Sequence, residues 1–306
     1  METKTQWYPY CRFITELLQK ALSLISANFL HKKAIMIQTD SQRHAPQNDT
    51  RQFEKSELRD IIRIDEREAR EYMFHRAKKP KDIHDALKLV QDIYIQEGYV
   101  DKQTVTGPCR VLKNHYYKET SVFVGKKNGS IIFTVSLFPD SPWGLPMDAI
   151  YKNELGNLRT RGRQIGEVGC LATHPDHRTG TQIIPMYCNK IILNYAMEQL
   201  KLDDLVIAVH PKHAPVYKEL LLFDDLNPGT VRTYPSVNNN PAVALRLNLR
   251  ETREKYRQCY QHKPLEANLH HFVFAKNCTN IDIFDEPRPL SAYGNDNLFF
   301  PTSKVP

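Results

Sequence analysis

No two of the six cysteines, at positions 11, 109, 170, 188, 259 and 278, fall at C-x-x-C spacing. Neither a disulfide framework nor a zinc ribbon is therefore expected, and a reducing cytoplasm is the setting that fits. The chain also lacks an unbroken apolar run long enough to cross a bilayer. Its only membrane candidate lies over residues 10–29, where apolar residues recur at helical spacing but Arg12, Glu16 and Lys20 interrupt the other face. Such a helix either packs on its own domain or a partner, or lies on a membrane surface as a peripheral contact. There is no internal repeat and no nucleic-acid recognition motif, and the basic residues are spread along the chain, so no nucleic-acid partner is expected.

What is present is ordinary for a soluble globular protein. Hydrophobic residues make up 41% and charged residues 25% of 306, enough for one large domain or two small ones. The net charge of +7 favours an acidic partner, whether a phosphate-bearing cofactor, a carrier protein, anionic lipid or nucleic acid. Composition and periodicity divide the chain into an amphipathic helix within 1–37, a polar linker over 38–57, a folded domain over 58–262 and a loose tail over 263–306.

Within the folded domain the patterning predicts a short charged helix over 58–70, a strand over 72–76 and a helix over 82–96 with Gly98 as its C-terminal cap. A second short helical segment covers 111–117. Strands over 120–125 and 130–137 flank Asn128-Gly129, a hairpin signal. A loop presenting Trp143 and a helical turn over 147–155 precede a strand over 165–172. A long helix over 181–200, a strand over 205–209, a short helix over 215–222, strands over 231–234 and 242–249 and a charged helix over 251–261 complete the order. A mixed sheet with helices on both faces accounts for it.

The informative stretch is Arg161 to Arg178, RGRQIGEVGCLATHPDHR. Its apolar run suits a buried strand, yet Glu167 stands in the middle of it. A carboxylate there must be paired, protonated or used. Thioester acyl transfer requires a neutral amine, a polarised carbonyl and a proton for the leaving thiolate. Glu167, directly or through water, is a candidate base if burial raises its pKa. Backbone N–H groups of Gly169, Leu171 and Ala172 are candidates for holding the oxyanion.

Leu171–Arg178, followed by a helix, a strand and a helix with Ala214–Tyr217 and Phe223, resembles the GNAT acyltransferases, and Gly144–Asp148, Glu167–Ala172, His210–Tyr217 and Arg232–Asn238, in their order and spacing, carry a closer resemblance. Within that superfamily the chain is similar to the long-chain N-acyl amino acid synthases, over roughly 70–250. The resemblance implies an α/β (α+β) fold with a central mixed, splayed sheet flanked by helices. It also implies transfer of a fatty acyl chain from acyl carrier protein to an amine, a chemistry shared with acyl-homoserine-lactone synthases. It places Tyr217 where relatives keep a tyrosine that protonates the thiolate, the alternative being a core aromatic with a satisfied hydroxyl. It sets Trp143, Asp148, Tyr234, Asn238 and Asn240 beside the acceptor and acyl pockets, the alternative being simple turn residues.

The superfamily's phosphate loop is an Arg or Gln followed by two glycines. Here Arg178, Gly180 and Thr181 remain but the second glycine is missing, which points away from coenzyme A and towards the acyl-4′-phosphopantetheine arm of a carrier. Arg159, Arg161, Arg163, Arg178 and Lys190 would dock an acidic carrier, or form a solvated basic surface. The pairs His174/His177 and His210/His213 have no cysteine or carboxylate at ligand spacing, so no metal is expected. No permanently bound cofactor is expected either, acyl carrier protein or acyl-CoA acting as co-substrate. A coenzyme A-dependent acetyltransferase and a non-catalytic acyl- or carrier-binding module stand as the alternatives.

Overall fold

The computed structural model describes residues 57–60, 62–178, 183–275 and 281–282. The helix expected over 10–29, the linker to residue 56, Gly180, Thr181 and the tail over 287–306 lie outside the described residues.

The elements in chain order are β1 (Met73–Arg76), α1 (Pro80–Gln96), β2 (Ser121–Lys127), β3 (Ser130–Pro139), α2 (Asp148–Thr160) and β4 (Ile165–Thr173). Then come α3 (Ile183–Asn194), β5 (Asp204–Val209), α4 (Ala214–Glu219), β6 (Asp224–Asp225), β7 (Arg232–Tyr234), β8 (Asn240–Asn248), α5 (Leu249–Tyr260), α6 (Leu269–Phe274) and β9 (Ile281–Asp282). The strands form one sheet in the order β6-β8-β5-β4-β3-β2-β1-β9, with β7 also pairing β8. Only β4–β5 and β1–β9 are parallel. The hairpin between β2 and β3 turns on Asn128 (φ 52°) and Gly129 (φ 80°), the two left-handed positions that an Asn-Gly turn supplies.

Helices cover both faces. α1 and α2 pack on one face through Val90, Ile93, Tyr151 and Leu155. On the other face α3, α4, α5 and α6 bury Ile191, Val216, Tyr256 and Phe272. Buried Tyr195, just past α3, receives hydrogen bonds from Arg76 of β1 (3.2 Å) and Ser121 of β2 (3.0 Å).

Two expected elements differ. Residues 62–65 leave the helix and 66–67 turn, because Ile62 and Ile64 are buried on either side of exposed Arg63, and the Ile64 N–H bonds the Glu266 carbonyl (2.7 Å). A period of two overrides the charged-helix pattern there. The folded region also runs past residue 263. Asn268 caps α6 by accepting from the His271 N–H (2.8 Å), and Leu269, Phe272 and Val273 enter the core. The Phe272 ring meets Tyr187 of α3 edge-on at 5.1 Å. The long helix is α-helical only to Asn194 and then continues as a π-turn over Tyr195–Gln199.

Candidate active site

β4 and β5 pair only over Ile165–Glu167 and Asp204–Val206. Both strands continue, so beyond Glu167 they diverge and open a wedge in the sheet. The closed end is fastened by Asp204, wholly buried, which accepts from Arg163 (2.8 Å) and Arg246 (2.8 Å). On the other edge β4 carries a bulge, where Cys170 and Leu171 stand opposite Val135 alone. Cys170 takes φ 49°, a left-handed conformation unusual for a side-chain-bearing residue. The extra residue shifts the strand's alternation. Cys170 and Ala172 thus join Ile165 on the α1–α2 face, while Val168 and Leu171 pack towards α3.

Two cavities meet at this wedge. A cleft of about 900 Å³ on the α1–α2 side is lined by Glu167, Cys170, Tyr94, Arg110, Tyr217 and Tyr234 among others. An apolar pocket of about 130 Å³ lies against α3 and α4, walled by Phe133, Ile184, Cys188 and Phe223. Val168, Leu171, Ile207 and Tyr217 line both.

Glu167 is 4% exposed, and its Oε2 accepts the Met147 N–H at 2.8 Å. Burial pushes its carboxyl up to about 8; the Met147 N–H opposes the rise and the nearby Asp148 charge adds to it. No cation neutralises it among the described residues. The Met147 N–H is aimed by the turn before α2. Asp148 Oδ2 accepts the Leu145 N–H (2.6 Å), and Arg159 bridges Asp148 (2.6 Å) and Asp140 (2.6 Å). Burial acts to raise the Asp148 pKa, but the Arg159 guanidinium outweighs it and the net shift is downward. Gly144, at φ 71°, leaves room for this carboxylate, since a Cβ there would lie 2.5 Å from Asp148 Oδ2. Arg159→Met should therefore strand two half-buried carboxylates, costing roughly 2–3 kcal/mol and lowering Tm by about 5–10 °C. Thermal unfolding would measure it, and an unchanged Tm would contradict this role.

Tyr217 stands at the junction of the two cavities. Its hydroxyl makes no hydrogen bond among the described residues, and burial holds it well above the usual tyrosine range, with Cys188 adding. Tyr234 is buried beside Glu167, Cys170 and Tyr94, and burial raises its pKa strongly. Trp143 is half-exposed on the cleft rim, edge-on to Tyr117 at 6.4 Å. Asn240 lines the cleft, whereas Asn238, at φ 53°, donates to the Gly98 carbonyl (3.0 Å) and ties the β7–β8 loop to the end of α1. Gly169 packs against Phe138, which a Cβ would approach to 3.3 Å.

The basic residues grouped in sequence are dispersed in space. Arg159 is engaged as above, and Arg163 is fixed at the closed end of the β4–β5 pair, which exposed Arg161 adjoins. Lys190 is buried, donates to the Phe272 carbonyl and lies 4.7 Å over that ring. Arg178 is 5% exposed, donates to the Thr173 carbonyl (2.9 Å) and pairs with Glu97 (3.1 Å). These residues do not form one basic surface at the wedge. Glu97→Gln is expected to leave the Arg178 cation buried without its carboxylate and to lower stability by about 3 kcal/mol. A chemical denaturation midpoint that does not move would overturn that pairing.

The two histidine–proline turns are built alike: His174 and His210 accept, through Nδ1, the N–H two residues on (3.4 and 3.2 Å). Burial pushes His213 down to about 3, so it is neutral. Among the described residues no cluster of three or more His, Cys, Asp or Glu side chains suits a metal ion. The sequence pattern missed Tyr94 and Arg110. Tyr94 sits in the apolar stripe of α1 and reads as core, and Arg110 lies in a connection without a motif.

The model of the family described as N-acyl amino acid synthase FeeM matches residues 85–248. The chain belongs to this family. It is similar to a solved structure of FeeM, an N-acyl amino acid synthase from uncultured soil microbes, at 26% identity and a TM-score of 0.52, over 60% of this chain and 93% of that one. A coenzyme A-dependent acyl-homoserine lactone synthase, BjaI, is similar at 15% identity and a TM-score of 0.49, over 71% and 95%. An N-acetyltransferase from Staphylococcus aureus follows at 15% identity and 0.38, over 58% and 97%. None of the curated proteins matches the chain. The FeeM-family chain is thus an acyltransferase, with N-acyl transfer as its activity and a mixed sheet flanked by helices as its fold.

Proposed function

We propose that this protein moves a fatty acyl group from the phosphopantetheine arm of acyl carrier protein to the amine of an amino acid. The observation that carries the reading is Glu167, buried and uncompensated, on the cleft side of a wedge that Tyr217 closes towards a second pocket. The donor arm enters from the α3 side, and the amine waits in the larger cleft. A site of about 900 Å³ is of the size that holds a small molecule with a long substituent.

The reaction then follows from the residues. The amine nitrogen attacks the thioester carbonyl, and Glu167 removes its proton directly or through one water. The carbonyl oxygen gains charge against N–H groups of the Gly169–Ala172 bulge. The C–S bond breaks as the carbonyl re-forms, and the thiolate takes the Tyr217 proton. That donation is needed here, since burial pushes the neighbouring thiols Cys170 and Cys188 up to about 12, and a departing thiolate in the same surroundings is equally reluctant to stay charged. Proton transfer from Glu167 through solvent restores Tyr217.

A carrier-bound donor is favoured by Arg178. Gripping a pyrophosphate would require breaking its buried pair with Glu97. Carrier protein loaded with chains of several lengths, incubated with mixed amino acids, should yield N-acyl amino acids by mass spectrometry. Acetylated amines from acetyl-coenzyme A, with none from loaded carrier, would instead identify the acetyltransferase, and no product from either would leave a binding module.

A further inference from the structure

Arg110 is set apart from the other arginines placed around the cleft and its supporting elements. Arg159, Arg163, Arg178 and Arg232 each pair with a carboxylate, on Asp140 and Asp148, Asp204, Glu97 and Glu154 respectively. Arg110 lines the same cleft, and among the described residues no carboxylate meets it. Its guanidinium lies over the Tyr94 ring, 5.2 Å from the centroid, and Nη2 donates to the Ser236 carbonyl (2.7 Å). Its Nε is buried with no hydrogen-bond partner among the described residues. The Nη1 end has no hydrogen bond among the described residues, and in a cleft wall it is left for a ligand to complete.

We propose that Arg110 holds the α-carboxylate of the acceptor and makes a free acid, rather than a simple amine, the accepted substrate. This rests on the acyl-transfer reading given above. A carboxylate is the anion that matches an open guanidinium edge, through two parallel N–H···O bonds. Stacking on Tyr94 and the bond to Ser236 fix the plane of the fork before the acceptor arrives, which lowers the ordering cost of binding. Glu167 and Arg110 line the same cleft, and Tyr234 and Cys170 lie within the fields of both. An α-amino acid oriented this way presents its amine, directly or through the bridging water, towards Glu167 and its carboxylate towards Arg110. Arg110 is a specificity-determining residue, with no part in moving the proton.

The test compares phenylalanine with phenylalaninamide as acceptors, using one carrier-bound acyl donor, in the wild type and in Arg110→Gln and Arg110→Lys. The wild type should prefer the acid by about 10²-fold or more in kcat/KM. Arg110→Gln should raise KM for the acid by about 10–100-fold with kcat little changed, and bring the acid-to-amide ratio close to one. Arg110→Lys should recover only part of the preference. In parallel, calorimetry would measure binding of N-decanoyl-phenylalanine and its carboxamide. The acid should bind at least tenfold tighter to the wild type, and the two equally to Arg110→Gln. Equal use and equal binding of acid and amide by the wild type would overturn the assignment. So would an Arg110→Gln variant that loses both acceptors in proportion, which would mark Arg110 as a structural prop for the Ser236 loop. Failure to acylate either acceptor would count against the acyl-transfer reading instead, while the calorimetry would still decide the carboxylate contact.

Discussion

Glu167→Gln should lower kcat/KM for amine acylation by about 10²–10⁴-fold, the range expected when a general base is lost. The exchange keeps the side-chain oxygen that accepts the Met147 N–H, so the turn before α2 should stay in place. Stability should respond in the opposite sense from activity. The folded-state pKa of Glu167 is raised from its ordinary 4.5 to about 8, so the folded protein holds this proton more tightly than the unfolded chain. Its contribution is fully present below pH 4.5 and is lost progressively as pH rises to about 8, because only the folded state must then keep or ionise a buried acid. At ~1.4 kcal/mol per pKa unit the loss amounts to up to roughly 5 kcal/mol. The glutamine variant lacks this titration. Denaturation curves from pH 5 to pH 8.5 should therefore show wild type losing stability relative to the variant. Parallel curves would show that Glu167 is not held neutral.

Tyr217→Phe is expected to reduce turnover by roughly 10²-fold while leaving Tm nearly unchanged. The ring packs edge-on against Phe223 at 5.9 Å, and phenylalanine preserves that contact. Because the hydroxyl has no hydrogen-bond partner among the described residues, removing it breaks nothing in the ground state. The loss should depend on the leaving group. A donor whose thiol is more acidic needs less help in departing, so an activated thioester should partly restore the variant's rate. A uniform loss for all thioesters, or a large fall in Tm, would place Tyr217 in the core and not in the chemistry.

Much of this arrangement is readable from residue order. The Asn128-Gly129 hairpin, the apolar stripe of α1 and the run around Glu167 carry local signals strong enough to set their elements. What escaped were features decided by contacts distant in sequence. Residues 62–65 leave the helical pattern because Ile62 and Ile64 find a buried seat and a partner at Glu266, some two hundred residues away. α6 is short and follows a proline-containing stretch, so its three buried apolar residues gain meaning only against α3. In the site, Glu167 is conspicuous because an acid in an apolar strand is expensive. Arg159, Arg163, Arg178 and Lys190 are close in the sequence, but each is drawn to a different buried partner, and proximity along the chain gave them a common role that the fold does not. Arg110 and Tyr94 reach the cleft from segments whose patterns are those of a connection and a core helix.

The central claim is that Glu167 accepts the amine proton, and the pH dependence of single-turnover acyl transfer tests it most directly. With carrier-bound acyl donor and saturating amino acid, the wild-type rate should rise to a plateau through a titration near pH 8. Glu167→Gln should be slower at every pH and should lack that titration, keeping only the one that belongs to the amine. Wild type and variant profiles that coincide in rate and shape would contradict the assignment and remove Glu167 from the reaction.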